Sequence, residues 1–308
     1  MKIGMTLPVM EPGLTRQDLE DWTKRIDEGP WSHIALGERI LFPNPEFIST
    51  LSAVAAWTNR VEIIATISVL TMHNPVLSAK QFATIDMLSE GRFTLGVGVG
   101  GREEDYNSIG ADWSNRRWGQ LSKNVKIMQD IWLKNHDAQL GPDLFSNDGP
   151  EILAGAVGPK AMEMSADFSS GLAGFSFNAD IEEIIDSFSR VITAFEKKDK
   201  TPRLVTSFWF GLGDTARQDI QTHLERYLSW MGQDLANDLS KIAGFAGNER
   251  NLKDFLTQIQ DAGATDVLLV PTSKDIDQLY EAEEIVSTFS KKMKSVIKID
   301  KLNQLVTR

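Results

Sequence analysis

Short β-branched and apolar segments alternate along this chain with longer segments in which apolar residues recur every three or four positions. The short segments predict strands, and the longer ones predict amphipathic helices. The predicted strands span residues 2–7, 33–37, 61–70, 93–99, 151–155, 171–175, 203–211 and 265–270. Helical sequence follows each of them, which is the repeat of an α/β fold closed as a (β/α)8 barrel. We therefore predict a single TIM-barrel domain over residues 1–308.

Local signals mark where the predicted helices begin. Thr15, followed three residues later by Asp18, is a capping-box-like start, and Pro75 stands in a first helical turn. Later helices are predicted at residues 45–57, 75–88, from 103, 115–133, 159–166, 181–197, from 214 and from 275. Residues 136–150 read as a long loop, and residues 222–262 as a helical insertion between the seventh and eighth strands.

The main structural alternative is a doubly wound dinucleotide-binding sheet, because Gly96, Gly98 and Gly101 match the G-x-G-x-x-G pattern. That fold needs an acidic residue at a strand end about 20 residues further on. The corresponding position here is Gln120, inside a predicted helix, and the acidic segment 103–105 would repel a pyrophosphate. The context therefore favours the barrel.

Composition narrows the possible partners and compartments. With 43 acidic and 32 basic residues, the net charge of −11 disfavours nucleic acid and anionic membranes. A basic C-terminal group, predicted to be the solvated face of a helix, consists of Lys291, Lys292, Lys294 and Lys298. Zero cysteines exclude disulfides and thiolate chemistry. The apolar run 63–72 is far shorter than the ~20 residues of a membrane helix, and no signal-peptide pattern opens the chain. We expect a cytoplasmic protein.

Four motifs between residues 61 and 118 occur in a characteristic order. They are His73-Asn74-Pro75 after a β-rich run, Ala79-Lys80-Gln81 on a helix, the Ser89-Glu90-Gly91-Arg92 turn, and Gly96 to Gly101 followed by Arg102-Glu103-Glu104. In this order they resemble the bacterial luciferase-like monooxygenases, a family of flavin- or deazaflavin-dependent oxidoreductases. The resemblance extends over nearly the whole chain.

The resemblance implies an enzyme that oxidises a small organic substrate with reduced FMN and O₂. A separate flavin reductase is a candidate source of the reduced FMN. Two alternatives stay open: a dehydrogenase or reductase of the same family that uses the deazaflavin coenzyme F420, and a flavin-binding barrel without turnover. Family members commonly form homodimers. The apolar helix face of Ala79, Phe82, Ala83 and Ile85 could take part in a dimer or pack on its own sheet.

Residues at the carboxyl ends of the predicted strands would line the mouth of such a barrel. They are mostly small or apolar, as expected around a flat aromatic cofactor, and Phe175 is one of them. Gly98 and Gly100 would allow close approach to the backbone, or simply form a turn. In the family, the third strand carries a bulge with a non-proline cis peptide beneath the flavin ring. The resemblance places that bulge at Thr66-Ile67-Ser68.

A candidate phosphate site follows the fifth predicted strand. The helix start after Ala156 offers free backbone N–H groups to an anion. In the family this region grips the flavin phosphate, which implies Val157, Gly158 and Ala161 here. Where luciferase has an arginine after the fourth strand this chain has Val99, so a cation would have to come from Lys160 or Arg102.

The candidate catalytic residues are Glu38, Arg39 and His73. Many relatives place a histidine after the second strand, but here the pair is Glu38-Arg39. Arginine stays protonated, so Arg39 could hold an anionic group, or pair with Glu38 or another barrel carboxylate, but could not act as a base. His73 is the one histidine at a predicted mouth position and could transfer protons. The remaining histidines are predicted to be structural or exposed: His33, His136 and His223.

Other chemistries lack support in the sequence. Four scattered histidines show no metal-ligand spacing, so no metal is expected. A G-x-S-x-G nucleophile elbow and a phosphate-binding glycine-lysine loop are both missing. Trp209 is predicted to be mainly a core residue, and Trp113 could belong to the core or the cavity wall.

Overall fold

The computed structural model describes residues 1–114, 117–137 and 140–289, and its centre is a closed parallel barrel. The strands are β1 Lys2–Thr6, β2 His33–Leu36, β3 Glu62–Ser68, β4 Phe93–Val97, β5 Glu151–Ala154, β6 Gly171–Ala173, β7 Arg203–Leu212, β8 Phe245–Gly247 and β9 Asp266–Pro271. Parallel pairing runs in sequence order from β1 to β7, then from β7 to β9, and β9 pairs with β1. This closure confirms the predicted barrel and excludes an open doubly wound sheet.

Helices cover the outside of the barrel. They are α1 Arg16–Glu28, α2 Phe47–Trp57, α3 Pro75–Leu88, α4 Glu103–Ser108, α5 Arg117–Trp132, α6 Pro159–Ser165, α7 Ile181–Glu196, α8 Ala216–Tyr227, α9 Gln233–Ile242 and α10 Glu249–Asp261, with residues 276–289 also helical. Thr15 and Asp18 form the predicted capping box of α1, and Pro75 occupies the first turn of α3. Asn115, where one helix was predicted to begin, and the four C-terminal lysines lie outside the described residues.

The segment between β7 and β9 contains more than helices. Helices α8, α9 and α10 account for most of it, but the three-residue strand β8 interrupts them. This strand pairs in parallel with the carboxyl end of β7, outside the barrel ring. Trp209 of β7 packs with Ile220 and Leu224 of α8 in a cluster of its own, so the insertion is anchored over the mouth of the barrel.

Side chains inside the barrel form layers, as in other (β/α)8 folds. The middle layer consists of small and branched residues, namely Ala35, Ile64, Leu153, Val205 and Leu268. On the outer face, a large apolar cluster joins the strands to the surrounding helices. The α3 face predicted for a dimer or for the sheet belongs to this cluster: Ala79, Phe82, Ala83 and Ile85 are buried against their own chain. Of the described residues, none belongs to a helix with the length and hydropathy needed to span a bilayer.

A charged network closes the amino-terminal end of the barrel. Arg203 of β7 donates hydrogen bonds to both carboxylate oxygens of Asp266, at 2.9 and 3.0 Å, and further ones to Glu62 and Glu151. His33 Nε2 lies 2.9 Å from Asp266 and 3.1 Å from Glu62. The buried position of His33 therefore reflects a structural role, as the sequence indicated.

The pKa values in this network reflect mutual pairing. Burial alone would lower the pKa of His33, but hydrogen bonds to Asp266 and Glu62 raise it above its ordinary value. Burial alone would raise the pKa values of Glu62 and Asp266, but His33 and Arg203 hold both well below their usual range. Both carboxylates therefore stay ionised, and their charges depend on the guanidinium of Arg203.

Arg203→Met should destabilise the fold by about 3–5 kcal/mol, because it leaves partly buried carboxylates without their cation. Arg16→Met is the matched control, since Arg16 forms an exposed pair with Glu20 and should change stability by less than about 1 kcal/mol. Urea denaturation would measure both. Equal effects of the two substitutions would show that the network does not hold the barrel end together.

Candidate functional site at the barrel mouth

The bulge of β3 forms the floor of the barrel mouth. The peptide bond between Thr66 and Ile67 is cis, at the position implied by the family resemblance. The register between β3 and β4 shifts between Ala65 and Ser68. Glu38, just past β2, holds the bulge: its backbone N–H donates to Ile67 O at 3.2 Å, and its carboxylate accepts the Val69 N–H at 2.6 Å.

The side chain of Ile67 lies over a group of glycines. A methyl group on Gly98 would lie 2.1 Å from Ile67 Cδ1, and one on Gly155 would lie 3.1 Å from Ile67 Cγ2. A methyl on Gly96 would overlap the carbonyl of Ala65 at 2.2 Å as well as crowd Ile67. Position 98 therefore requires glycine, because the side chain of Ile67 fills the space that a Cβ atom would need. The sequence analysis had offered only close approach to the backbone or a turn as reasons for this glycine.

Two adjoining cavities open above this floor. The first, here called the aromatic cavity, has a volume of about 340 Å³ and lies between the barrel and the insertion. Its walls include Leu7, Val9, Met10, Phe177, Trp209, His223, Tyr227, Leu228, Trp230 and Met231. The second, the α7 cavity, has a volume of about 450 Å³ and extends from Ile67 past Val157 to Arg190. Thr66, Phe175 and Ser207 line both cavities, so the two meet at the barrel mouth.

The predicted cofactor-binding residues fall into two groups. Thr66, Ile67, Phe175 and Val157 line one or both cavities, and Phe175 packs edge-on against Trp209 at 4.6 Å. The remaining predicted residues lie beneath or beside the cavities: Ser68, Gly98, Gly100, Gly158 and Ala161. Of these, Gly158 N-caps α6 and has no side chain to satisfy the first N–H groups, whereas Ala161 is buried in the core.

The basic side chains that could pair with a flavin phosphate are not both placed where the sequence predicted, which was at Lys160 or Arg102. Arg102 lines the aromatic cavity, and Lys160 lines neither of the two cavities. Arg190 of α7 lines the α7 cavity together with Val157, and it pairs with Asp186 at 2.6 Å. Sequence reasoning missed Arg190, because one arginine on an amphipathic helix carries no positional signal.

His73 and Glu38 form a close pair beside the mouth. His73 Nε2 lies 2.5 Å from Glu38 Oε1, and the carboxylate is almost fully buried. Burial alone would lower the pKa of His73, but the hydrogen bond to Glu38 and the charges of Glu38 and Glu46 raise it. His73 lines a separate polar cavity with Thr71 and Arg117, and neither the aromatic nor the α7 cavity.

Arg39 forms a buried ion pair, with Asp105 as its partner. Its Nε donates to Asp105 Oδ2 at 3.0 Å, and its guanidinium lies over the rings of Phe42 and Tyr227. Arg39 lines neither of the two mouth cavities. It therefore supports the cavity wall behind Tyr227.

The two tryptophans considered in the sequence analysis have different positions. Trp209 combines core packing with cavity lining, while Trp113 stacks on Arg117 away from both cavities.

His223 lies at the barrel mouth, although the sequence analysis did not place it there. His223 of α8, predicted to be structural or exposed, is buried and lines the aromatic cavity. Its Nδ1 lies 2.5 Å from Glu11 in the loop after β1, and Glu11 also accepts a hydrogen bond from Arg226. The ring of His223 stacks with that of Tyr227 at 5.7 Å. The pair joins positions 212 residues apart, so no local sequence pattern could reveal it.

Comparison with known proteins gives a consistent family assignment. A family model described as luciferase-like monooxygenase matches residues 1–272. The chain belongs to the luciferase-like monooxygenase family. Pyrimidine monooxygenase RutA from Enterobacter cloacae subsp. cloacae is 25% identical over 233 residues, which cover 68% of this chain and 63% of that protein. RutA from Yersinia enterocolitica is 28% identical over 156 residues, or 49% and 42% of the two chains. The matches thus span less than two thirds of these relatives.

Solved structures of this luciferase-like fold superpose on nearly the whole chain. Monooxygenase RslO1 from Streptomyces bottropensis gives a TM-score of 0.74 at 16% identity, covering 94% of this chain and 98% of that one. An F420-dependent secondary alcohol dehydrogenase gives 0.76 at 16%, covering 92% and 97%. The FMN-bound oxygenating constituent of 3,6-diketocamphane monooxygenase from Pseudomonas putida gives 0.70 at 16%, covering 93% and 96%. At these identities the likeness establishes the fold.

Glu38→Gln in this luciferase-like protein should lower the pKa of His73, because it removes the negative charge that holds the imidazolium. Since that pKa is raised in the folded state, the pair stabilises the fold below the unfolded histidine value and loses its effect as the pH rises through the folded pKa. The substitution should therefore cost more stability at about pH 6 than at about pH 9.

Histidine NMR titration of wild type and variant would measure the pKa change, with His136 in the loop as an internal reference. Urea denaturation at both pH values would measure the stability change. An unchanged His73 titration would show that Glu38 does not control this histidine.

Proposed function

We propose that this member of the luciferase-like monooxygenase family binds reduced FMN at the barrel mouth and uses O₂ to oxidise a small organic molecule. The observation that carries the proposal is the position of Ile67. Its side chain lies over Gly98 and Gly155 and lines the α7 cavity, next to Thr66, which lines both cavities, so it presents an apolar surface, here called the seat, to a ligand at the mouth. A planar ring fits such a seat better than a flexible or strongly charged ligand does.

The residues around the seat fit the parts of a flavin. Ile67 and Thr66 would support the ring from below, and Phe175 would form a wall beside it, because all three line the α7 cavity. Val157 and the N–H groups of the first turn of α6, to which Pro159 contributes none and which no side chain caps, would face the phosphate. Helix α6 has only seven residues, so its dipole is modest, and Arg190 in the same cavity would supply the cation.

When bound and reduced, the flavin supplies the electrons that activate O₂. The role of the protein is to hold the ring and substrate together and to exclude water. Apolar side chains dominate the aromatic cavity, and the insertion helix α8 covers it through the packing of Trp209, Ile220 and Leu224. A separate flavin reductase remains the predicted source of electrons. Glu38 and Arg39 would act indirectly, by supporting the bulge and the wall near Tyr227.

A second candidate function is hydride transfer with the deazaflavin coenzyme F420. Two observations favour it. Val99 provides no cation after β4, and Arg190 is already paired with Asp186. At the phosphate position, a monoester carries more negative charge than the phosphodiester of F420, so Asp186 and Glu183 beside the α7 cavity would oppose the FMN phosphate more strongly there.

Anaerobic titration of the protein with reduced FMN and with F420 would separate the two candidates. We expect micromolar binding of reduced FMN, and oxygen uptake above the free-flavin rate when a substrate is present. Binding of F420 alone would favour the dehydrogenase. Binding of neither would contradict both proposals.

Gly98→Ala should weaken flavin binding, because its methyl group would displace Ile67 towards the ring position. We expect about a tenfold rise in Kd, equivalent to ~1.4 kcal/mol. Gly101→Ala is the matched control, since a methyl group there meets no neighbour within 4 Å. Fluorescence titration with FMN would measure both. Equal affinities for the two variants would show that Ile67 does not support the ring.

A further inference from the structure

Three residues that line the aromatic cavity each carry a buried polar atom that has no partner in the described part of the chain. These atoms are Thr6 Oγ1, Arg102 Nε and His223 Nε2. Unpaired buried polar groups cost free energy and are rare in folded proteins. Three of them around one small apolar space indicate a ligand that supplies the missing hydrogen bonds.

Glu11 determines which nitrogen of His223 remains available. An ionised carboxylate only accepts hydrogen bonds, so the 2.5 Å contact requires a proton on His223 Nδ1. Nε2 then carries the free lone pair and can accept a proton. The imidazolium that results would be stabilised by Glu11, in the same way that a carboxylate orients a catalytic histidine in other enzymes.

We infer that the aromatic cavity is the substrate pocket, that it takes a single-ring aromatic molecule with an acidic hydroxyl group, and that His223 accepts the hydroxyl proton. This inference rests on the proposed function, because it names the substrate class of that same mouth. In the step, the O–H bond breaks and an N–H bond forms at Nε2. The substrate oxygen keeps the electron pair and becomes a phenolate, and the neutral imidazole becomes an imidazolium.

The walls and charges of the cavity fit this substrate class. Phe175, Phe177, Trp209 and Trp230 present aromatic surface around a space of about 340 Å³, which is large enough for one ring and its substituents. A phenol, with a pKa of roughly 10, lies much closer to imidazole in acidity than an aliphatic alcohol does, and an electron-withdrawing substituent narrows the gap further. Arg102, held between the rings of Tyr227 and Trp230, would attract the phenolate.

The ionisation has a chemical purpose. A phenolate ring is richer in electrons than a phenol ring, so it reacts more readily with an electrophilic oxygen atom. The charged groups that surround His223 are Glu11 from the β1–α1 loop, Arg226 from α8 and Arg102 from the loop before α4. Of these, Glu11 contacts the ring most closely, with its carboxylate 2.5 Å from Nδ1.

The probe 4-nitrophenol tests the inference, because its phenolate and phenol forms absorb at different wavelengths. The probe would be titrated into the protein across a pH series, once alone and once with saturating oxidised FMN. In the wild type we expect binding, with the ionisation midpoint of the probe lowered by about one pH unit. His223→Gln should abolish that shift while changing the affinity for the phenol form, measured at acidic pH, by less than about threefold.

Companion variants keep the result interpretable. Glu11→Gln should reduce the shift, and it serves as the second test if His223→Gln fails to fold by circular dichroism. Gln218→Ala, at an exposed position of the same helix, should leave the shift intact.

Three results would overturn the inference. The first is a shift in the probe's ionisation midpoint that is undiminished in His223→Gln. The second is a shift that Arg102→Met abolishes and His223→Gln does not. The third is no binding of the probe to wild type, with or without FMN. If FMN fails to bind but the probe still ionises in a manner that depends on His223, the cofactor proposal fails and the pocket inference stands.

Discussion

Packing of Ile67 against Gly98 and Gly155 is the contact on which the arrangement of the mouth depends. The bulge of β3 leaves the sheet register between Ala65 and Ser68, and the side chain of Ile67 fills the space left by the glycines. Glu38 holds the bulge from the neighbouring strand through the Val69 N–H and the Ile67 carbonyl. An apolar floor of fixed shape results, and both cavities are built above it.

The two ends of the barrel use charge in different ways. At the amino-terminal end, Arg203 joins His33, Glu62, Glu151 and Asp266 into a network in which the charges satisfy one another. One atom of that network, His33 Nδ1, is buried without a partner, whereas at the carboxyl end three residues around the aromatic cavity carry such atoms among the described residues. The first pattern stabilises the fold, whereas the second is typical of a binding site, where a ligand completes the hydrogen bonds.

Most of the fold could be predicted from the sequence, because each barrel strand and its helix have local signals. Residues 33–37 and 93–99, for example, are β-rich runs bounded by turn residues, and Pro75 marks the start of α3. The order of motifs around Gly96 was specific enough to indicate the family and the place of the bulge. The strand β8 was missed because its three residues lie between two helices, inside a segment that was predicted to be a helical insertion.

The details of the site were less predictable, because they depend on contacts between distant segments. Glu11 and His223 meet only after the insertion folds over the mouth. His73 follows β3 in sequence and so was expected at the mouth, but its side chain turns towards Glu38 and a separate cavity. Arg39 pairs with Asp105 on α4, and the sequence separation of these two residues gives no indication that they are in contact.

The central claim is that Ile67 forms the seat of the flavin ring, and methyl NMR tests it most directly. Isoleucine δ1-methyl groups would be labelled with carbon-13, the Ile67 signal assigned with Ile67→Val, and FMN added in steps. The account predicts a large ring-current shift of the Ile67 methyl and little change for Ile26, which is buried beneath the helices. A stationary Ile67 signal under conditions in which FMN binds would contradict it.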